Sequence, residues 1–129
     1  MKDYLKTPKI QRGDIKLLWH SDYWDGIISG MLLYRNRQYW FEMFEENKGE
    51  DFYRRFFVFK LTGEQIIEET NWQQLFREKV GGHTDYDENG MLNTALVKPS
   101  ETHAEFYDAY KNRKKLDLSG NEIIGWFEI

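Results

Sequence analysis

The chain has no cysteine and only two prolines, Pro8 and Pro99, among its 129 residues. Without cysteine there are no disulfides, no thiolate-held zinc or iron–sulfur cluster, and no thiol nucleophile. Long apolar runs are missing too. The longest, Gly26 to Tyr34, falls far short of the ~20 residues that a membrane-spanning helix needs. The amino-terminal stretch Met1 to Asp14 mixes Lys2, Lys6, Lys9 and Arg12 with Asp3 and holds no apolar segment of the kind a secretory signal requires. The compartment expected from these absences is the cytoplasm. Neither Ser21 nor Ser29 lies in a G-x-S-x-G setting and no phosphate loop is present, so nucleophilic catalysis has no motif behind it and no cofactor is expected.

Basic charge is in short supply. Eighteen Lys and Arg stand against 22 Asp and Glu, a net charge of −4. The imbalance lies in the second half: residues 66–129 carry 7 basic and 12 acidic side chains, whereas residues 1–65 carry 11 and 10. A chain that neutralises phosphates shows a basic excess, because counterion release drives that binding. The one dense basic run is Lys111, Arg113, Lys114 and Lys115. Its simplest reading is the last turn of a helix, where cations meet the negative end of the dipole. Nucleic acid is therefore not the expected partner.

What is present is 40% hydrophobic and 17% aromatic, enough for one globular core, and the expectation is a single domain over 1–129 with 1–13 as a flexible amino-terminal segment. The first half reads as strands. Ile15, Leu17 and Trp19 alternate with Asp14, Lys16 and His20. Ile27 to Tyr34 is apolar on both faces, as in a central strand. Arg35 to Gln38 is a turn, since Asn36 tolerates left-handed backbone. Tyr39, Phe41 and Met43 then alternate with Trp40, Glu42 and Phe44. After a polar loop, Glu45 to Asp51, a fourth strand runs from Phe52 to Leu61. Its Phe56-Phe57-Val58-Phe59 run is an aggregation hazard unless buried.

At Thr62 the period changes. Thr62-Gly63-Glu64-Gln65 fits a capping box, and so does Thr70-Asn71-Trp72-Gln73, which suggests two short helices, ended by Gly81-Gly82. Residues 83–99 show no period. Ser100 begins a helix whose stripe is His103, Phe106, Tyr107 and Tyr110. Ser119-Gly120-Asn121 turns the chain into a last strand, Glu122 to Ile129. The expected fold is α+β: an antiparallel sheet of four to five strands (meander, helices, final strand) with two or three helices on one face.

Three clusters carry possible chemistry. His20-Ser21-Asp22-Tyr23-Trp24-Asp25-Gly26 reads as a loop between the first two strands. Trp24 and Tyr23 are residues of binding hot spots, and His20, Asp22 and Asp25 could share acid–base work. The competing reading is structural: Asp25-Gly26 turns the chain, Trp24 folds onto the core, and Asp22 caps backbone. Asp85-Tyr86-Asp87-Glu88-Asn89-Gly90 opens like a calcium loop, with Asp85, Asp87 and Asn89 at positions one, three and five and a glycine at six. Position twelve is Leu96 rather than the bidentate glutamate, which makes a plain acidic turn the simpler reading. His20, His83 and His103 lack the close spacing of helical metal motifs, although a fold that brings His83, Asp85 and His103 together would make a metal site.

The composition fits the general type of small acidic bacterial single-domain proteins, some of which act as immunity proteins to toxins, but no motif ties the chain to a named family. The leading expectation is a non-enzymatic protein-binding module of immunity or inhibitor type. Its acidic, aromatic surface (His20, Asp22, Tyr23, Trp24 and Asp25) would engage a protein partner with a basic face. The alternatives are a small metal-assisted or acid–base enzyme using His20/Asp22/Asp25 or His83/Asp85/His103, and a structural domain that oligomerises through a sheet edge.

Overall fold

The alternating apolar residues of the first sixty positions form four consecutive strands, and the last six or so residues add a fifth. The structure, a computed structural model, describes residues 6–23, 27–80 and 100–129. Strands β1 (Ile15–Tyr23), β2 (Ile27–Tyr34), β3 (Arg37–Asn47), β4 (Tyr53–Phe59) and β5 (Ile123–Glu128) pair antiparallel in the order β1-β2-β3-β4-β5. Helices α1 (Gly63–Lys79) and α2 (Ser100–Tyr110) lie between β4 and β5 in the chain. This is the α+β meander expected, and the last strand does join the sheet beside β4. Two compact units separate: residues 1–61 with 118–129 hold the sheet, and residues 62–117 hold both helices.

The sheet unit buries side chains on both faces. Phe41, Phe56 and Phe127 meet on one face with ring centroids 5.0 to 5.8 Å apart. All three are fully buried, as are Leu32 and Val58. On the alternate positions Met31, Trp40, Phe57, Phe59 and Trp126 are buried as well. The Phe56–Phe59 run is thus hidden from edge pairing on a strand that has a neighbour on each side. Each fully buried Phe stabilises the fold by about 1.5–3 kcal/mol through area alone.

The β2–β3 hairpin turns on two residues, Arg35 and Asn36, with φ of 50° and 63°. Positive φ at both centres is the two-residue geometry that matches strand twist. Gly30 is needed for a different reason. A Cβ there would stand 2.2 Å from the Trp19 carbonyl oxygen and 2.7 Å from His20 Cα, so only glycine lets β1 and β2 close.

Strand and helix ends shift by a residue or two in several places, and four differences from the sequence expectation are larger. Strand β3 runs to Asn47 rather than ending before Glu45, because its polar end is ion-paired across to β4: Arg54 Nε lies 2.8 Å from Glu46 and Arg55 Nη1 lies 2.6 Å from Glu45. Strand β1 runs to Tyr23, carried past its strict alternation by register shifts at 17/19, 20/22 and 22/23. Helix α1 is one continuous helix. Thr62 forms the first capping box, but the second, at Thr70, is bypassed, since extending a helix costs far less than nucleating another. Helix α2 stops at Tyr110, so the basic run lies beyond its last turn.

The segment expected to be free is partly tied down. Trp126 N donates to the Pro8 carbonyl (3.1 Å) and Ile10 N donates to the Trp126 carbonyl (2.7 Å), pairing Lys9 parallel with β5. Ile10 is buried, and Lys9 sits over the Trp126 ring.

The helical unit has its own aromatic core. Phe76, Val80 and Phe106 are buried, with Trp72, Leu75 and Tyr110 packed on them. The Phe106 ring stacks on Tyr110 at 4.9 Å and meets Phe76 edge-on at 5.2 Å. Tyr107, expected on that stripe, is exposed instead, because the buried arc of α2 is centred on Phe106. Lys79 Nζ bridges to Glu105 at 2.8 Å, and the Thr102 hydroxyl donates to the Lys79 carbonyl. The nearby Glu105 carboxylate accepts a hydrogen bond from Lys79 and holds its ammonium pKa above the usual 10.5.

Candidate functional site

All of the net charge lies in the helical unit. Residues 62–117 carry eleven acidic and seven basic side chains, whereas the sheet unit carries eleven of each. Within the helical unit a groove of about 430 Å³ opens between the first two turns of α1 and the segment that follows α2. Its position follows from local chemistry. Thr62 fixes where α1 begins: Gln65 N donates to the Thr62 hydroxyl (3.1 Å) and Thr62 N donates to Gln65 Oε1 (3.0 Å). Glu64 and Glu68 then fall on successive turns of one exposed face, about 6 Å apart by helix geometry. Glu69 also lines the groove but is itself buried.

The other wall begins where α2 ends. Arg113 donates to the Tyr110 carbonyl (3.0 Å) and lays its guanidinium 3.5 Å from that ring's centre, which satisfies the end of α2. Asn112 donates to the Asp108 carbonyl, and Lys111 reaches Asp108 at 3.4 Å. The chain then runs through Lys114, Lys115, Leu116 and Asp117 back to the start of α1. There Gln65 Nε2 donates to the Asp117 carbonyl (3.2 Å), so one glutamine caps the helix and holds the far wall. The basic run therefore divides. Lys111 and Arg113 finish the helix, and Lys114 and Lys115 line the groove.

The groove's electrostatics are those of two separated walls. Glu64 and Glu68 stand on the helix, and Lys114 and Lys115 stand across from them. Among the described residues none of these four makes an ion pair within 4.0 Å, and Glu68 accepts the Trp72 indole N–H, at 3.3 Å. The same unit closes other exposed pairs, Lys79–Glu105 and Lys111–Asp108. Small-molecule pockets are mostly apolar. Here six Asp, Glu and Lys side chains and one leucine, Leu116, make up most of the lining residues.

The residues singled out in the sequence are placed as follows. His20 is buried on β1 opposite Gly30, and so presents little surface. Asp22 and Tyr23 lie on the end of β1, with backbones paired to Ser29 and Ile27. Trp24 and Asp25 lie outside the described residues, as do His83, Asp85, Asp87 and Asn89. His103 is half-buried on α2. Among the described residues no three His, Asp or Glu side chains gather as a metal site needs. No helix of these residues is long and apolar enough to cross a membrane. Glu64, Glu68, Lys114 and Lys115 had not been singled out as a site. The available signal was a pair of glutamates at i and i+4 just after a capping box.

No protein family, curated protein or solved structure matches this chain.

Proposed function

We propose that this protein is a non-enzymatic binding module, of the immunity or inhibitor type, whose acidic helical unit docks a protein partner with a basic face. One observation carries the reading: the helical unit holds the entire net charge of −4, with exposed carboxylates ranked along α1 beside an open groove. Two exposed apolar side chains support it. Ile67 lies between Glu64 and Glu68 on α1, and Tyr107 lies beside Asp108 on α2. Apolar anchors among like charges are what a steered protein–protein contact uses: the field speeds encounter, and the anchors supply the buried area.

The bound state follows from the residues. A partner lysine or arginine approaching α1 meets Glu64 and Glu68 one turn apart, a spacing that a guanidinium can bridge. Burying Ile67 in the same contact adds about 1.5–3 kcal/mol. The test is retention from an extract of the source organism on the immobilised protein, alongside a Glu64→Lys/Glu68→Lys column. The expected result is one stoichiometric, basic protein that is eluted by salt and missing from the variant column. Identical retention on both columns would refute the assignment.

A further inference from the structure

Resting on that reading, we infer that the groove is a two-signed docking cleft. It takes a partner segment that presents a cation to Glu64 and Glu68 and, a few residues away, an anion to Lys114 and Lys115. A uniformly acidic surface needs no lysines facing its carboxylates, and Lys114 and Lys115 would weaken its hold on a basic partner. Yet the two lysines and two glutamates face one groove without pairing to each other, while neighbouring opposite charges in the same unit have closed at 2.8 and 3.4 Å. The reason is structural. Gln65 pins the Asp117 carbonyl to the start of α1 and holds the lysine-bearing segment at a fixed separation from the helix. Four charges are thereby left with their pairing capacity unspent around a groove of about 430 Å³.

The occupant is set by charge complementarity. A purely cationic segment gains Glu64 and Glu68 but is repelled by Lys114 and Lys115. A purely anionic one meets the reverse. A segment carrying both signs in the right order satisfies both walls, and reversing its order does not. The lysines thus give the contact direction and exclude partners that are merely basic.

This predicts a change of sign that separates the cleft from a general negative field. Two synthetic peptides of equal length serve as probes, one with paired arginines followed by paired glutamates, the other with those glutamates replaced by glutamine. Both are titrated into the whole protein by isotope-edited NMR at roughly 0.15 M salt. The unaltered protein is expected to bind the mixed peptide about fivefold more tightly than the cationic one, with shifts centred on Glu64, Glu68, Lys114 and Lys115. Lys114→Glu/Lys115→Glu reverses that preference, and Glu64→Gln/Glu68→Gln weakens both peptides. All four side chains are exposed and make no ion pair among the described residues, so the variants keep the parent's melting temperature within a few degrees, which thermal melts verify.

Tighter binding of both peptides by Lys114→Glu/Lys115→Glu would overturn the cleft and leave a plain acidic surface. The same holds if neither peptide shifts the groove residues. Either result stands apart from failure of the broader reading, which is equal retention of native proteins on the two columns.

Discussion

Phe106 is the residue on which the helical unit's packing turns, and replacing it with alanine gives a sharp expectation. The side chain is 3% exposed and touches four rings, with Tyr110 stacked at 4.9 Å and Tyr107, Phe76 and Trp72 edge-on at 5.1, 5.2 and 6.3 Å. Buried Phe→Ala changes cost about 3–5 kcal/mol, transfer and cavity together. Since α1 and α2 meet through this ring, the upper half of that range is expected. With a urea dependence of about 2 kcal/mol per molar for a chain this size, the midpoint falls by about 2 M. Phe106→Leu keeps most of the volume and costs under about 1.5 kcal/mol. Tyr107→Ala, one residue along but 48% exposed, costs no more than about 0.5–1 kcal/mol. The assay is urea denaturation of fluorine-labelled protein, because Trp72 is the one tryptophan within 62–117 and its signal reports the helical unit separately. A Tyr107→Ala loss equal to that of Phe106→Ala would refute the packing, since it would return Tyr107 to the buried stripe.

Four further outcomes follow from the geometry. Gly30→Ala drives a Cβ into the Trp19 and His20 backbone, which no rotamer relieves, and costs more than about 3 kcal/mol. Gly63→Ala, with open space around it at the start of α1, is neutral or stabilises by about 0.4–1 kcal/mol, and chemical denaturation reads both variants. Arg54 is buried, pairs with Glu46 at 2.8 Å and donates to the Ile27 carbonyl at 3.0 Å. Arg54→Met alone therefore costs about 3–5 kcal/mol, and adding Glu46→Met recovers most of it. A double variant no more stable than the single one would show that the pair is not the cause. The fourth outcome concerns pH. The Lys79 pKa is raised above 10.5 by Glu105, so the pair's stabilisation is complete below 10.5 and fades as pH rises through the folded value. Thermal melts of the parent and Glu105→Gln should differ at pH 7–9 and converge in stronger alkali. A difference that persists there unchanged would remove Lys79 as its source.

Much of the fold was legible because hydrophobic period is a local signal. Ile15-Leu17-Trp19, Tyr39-Phe41-Met43 and the Phe56–Phe59 run each name their strand, and Thr62 with Gln65 names the start of α1 to the residue. The misplaced boundaries lie where polar residues are held by partners distant in the chain. Glu45 and Glu46 look like loop until Arg55 and Arg54 stand opposite them. Lys9 and Ile10 show no period, yet they pair with Trp126. The candidate groove was harder to read for the same reason. Its walls join through Gln65 and Asp117, 52 positions apart. Lys114 and Lys115 looked like the tail of a helix that in fact ends at Tyr110.

Whether the carboxylates of α1 hold a basic partner is read by titrating the retained protein against the parent and Glu64→Gln/Glu68→Gln at low and at physiological salt. The variant is expected to bind about tenfold more weakly and to lose part of the salt dependence, since two exposed charge pairs have gone. Equal affinity and an equal salt slope for parent and variant would contradict it.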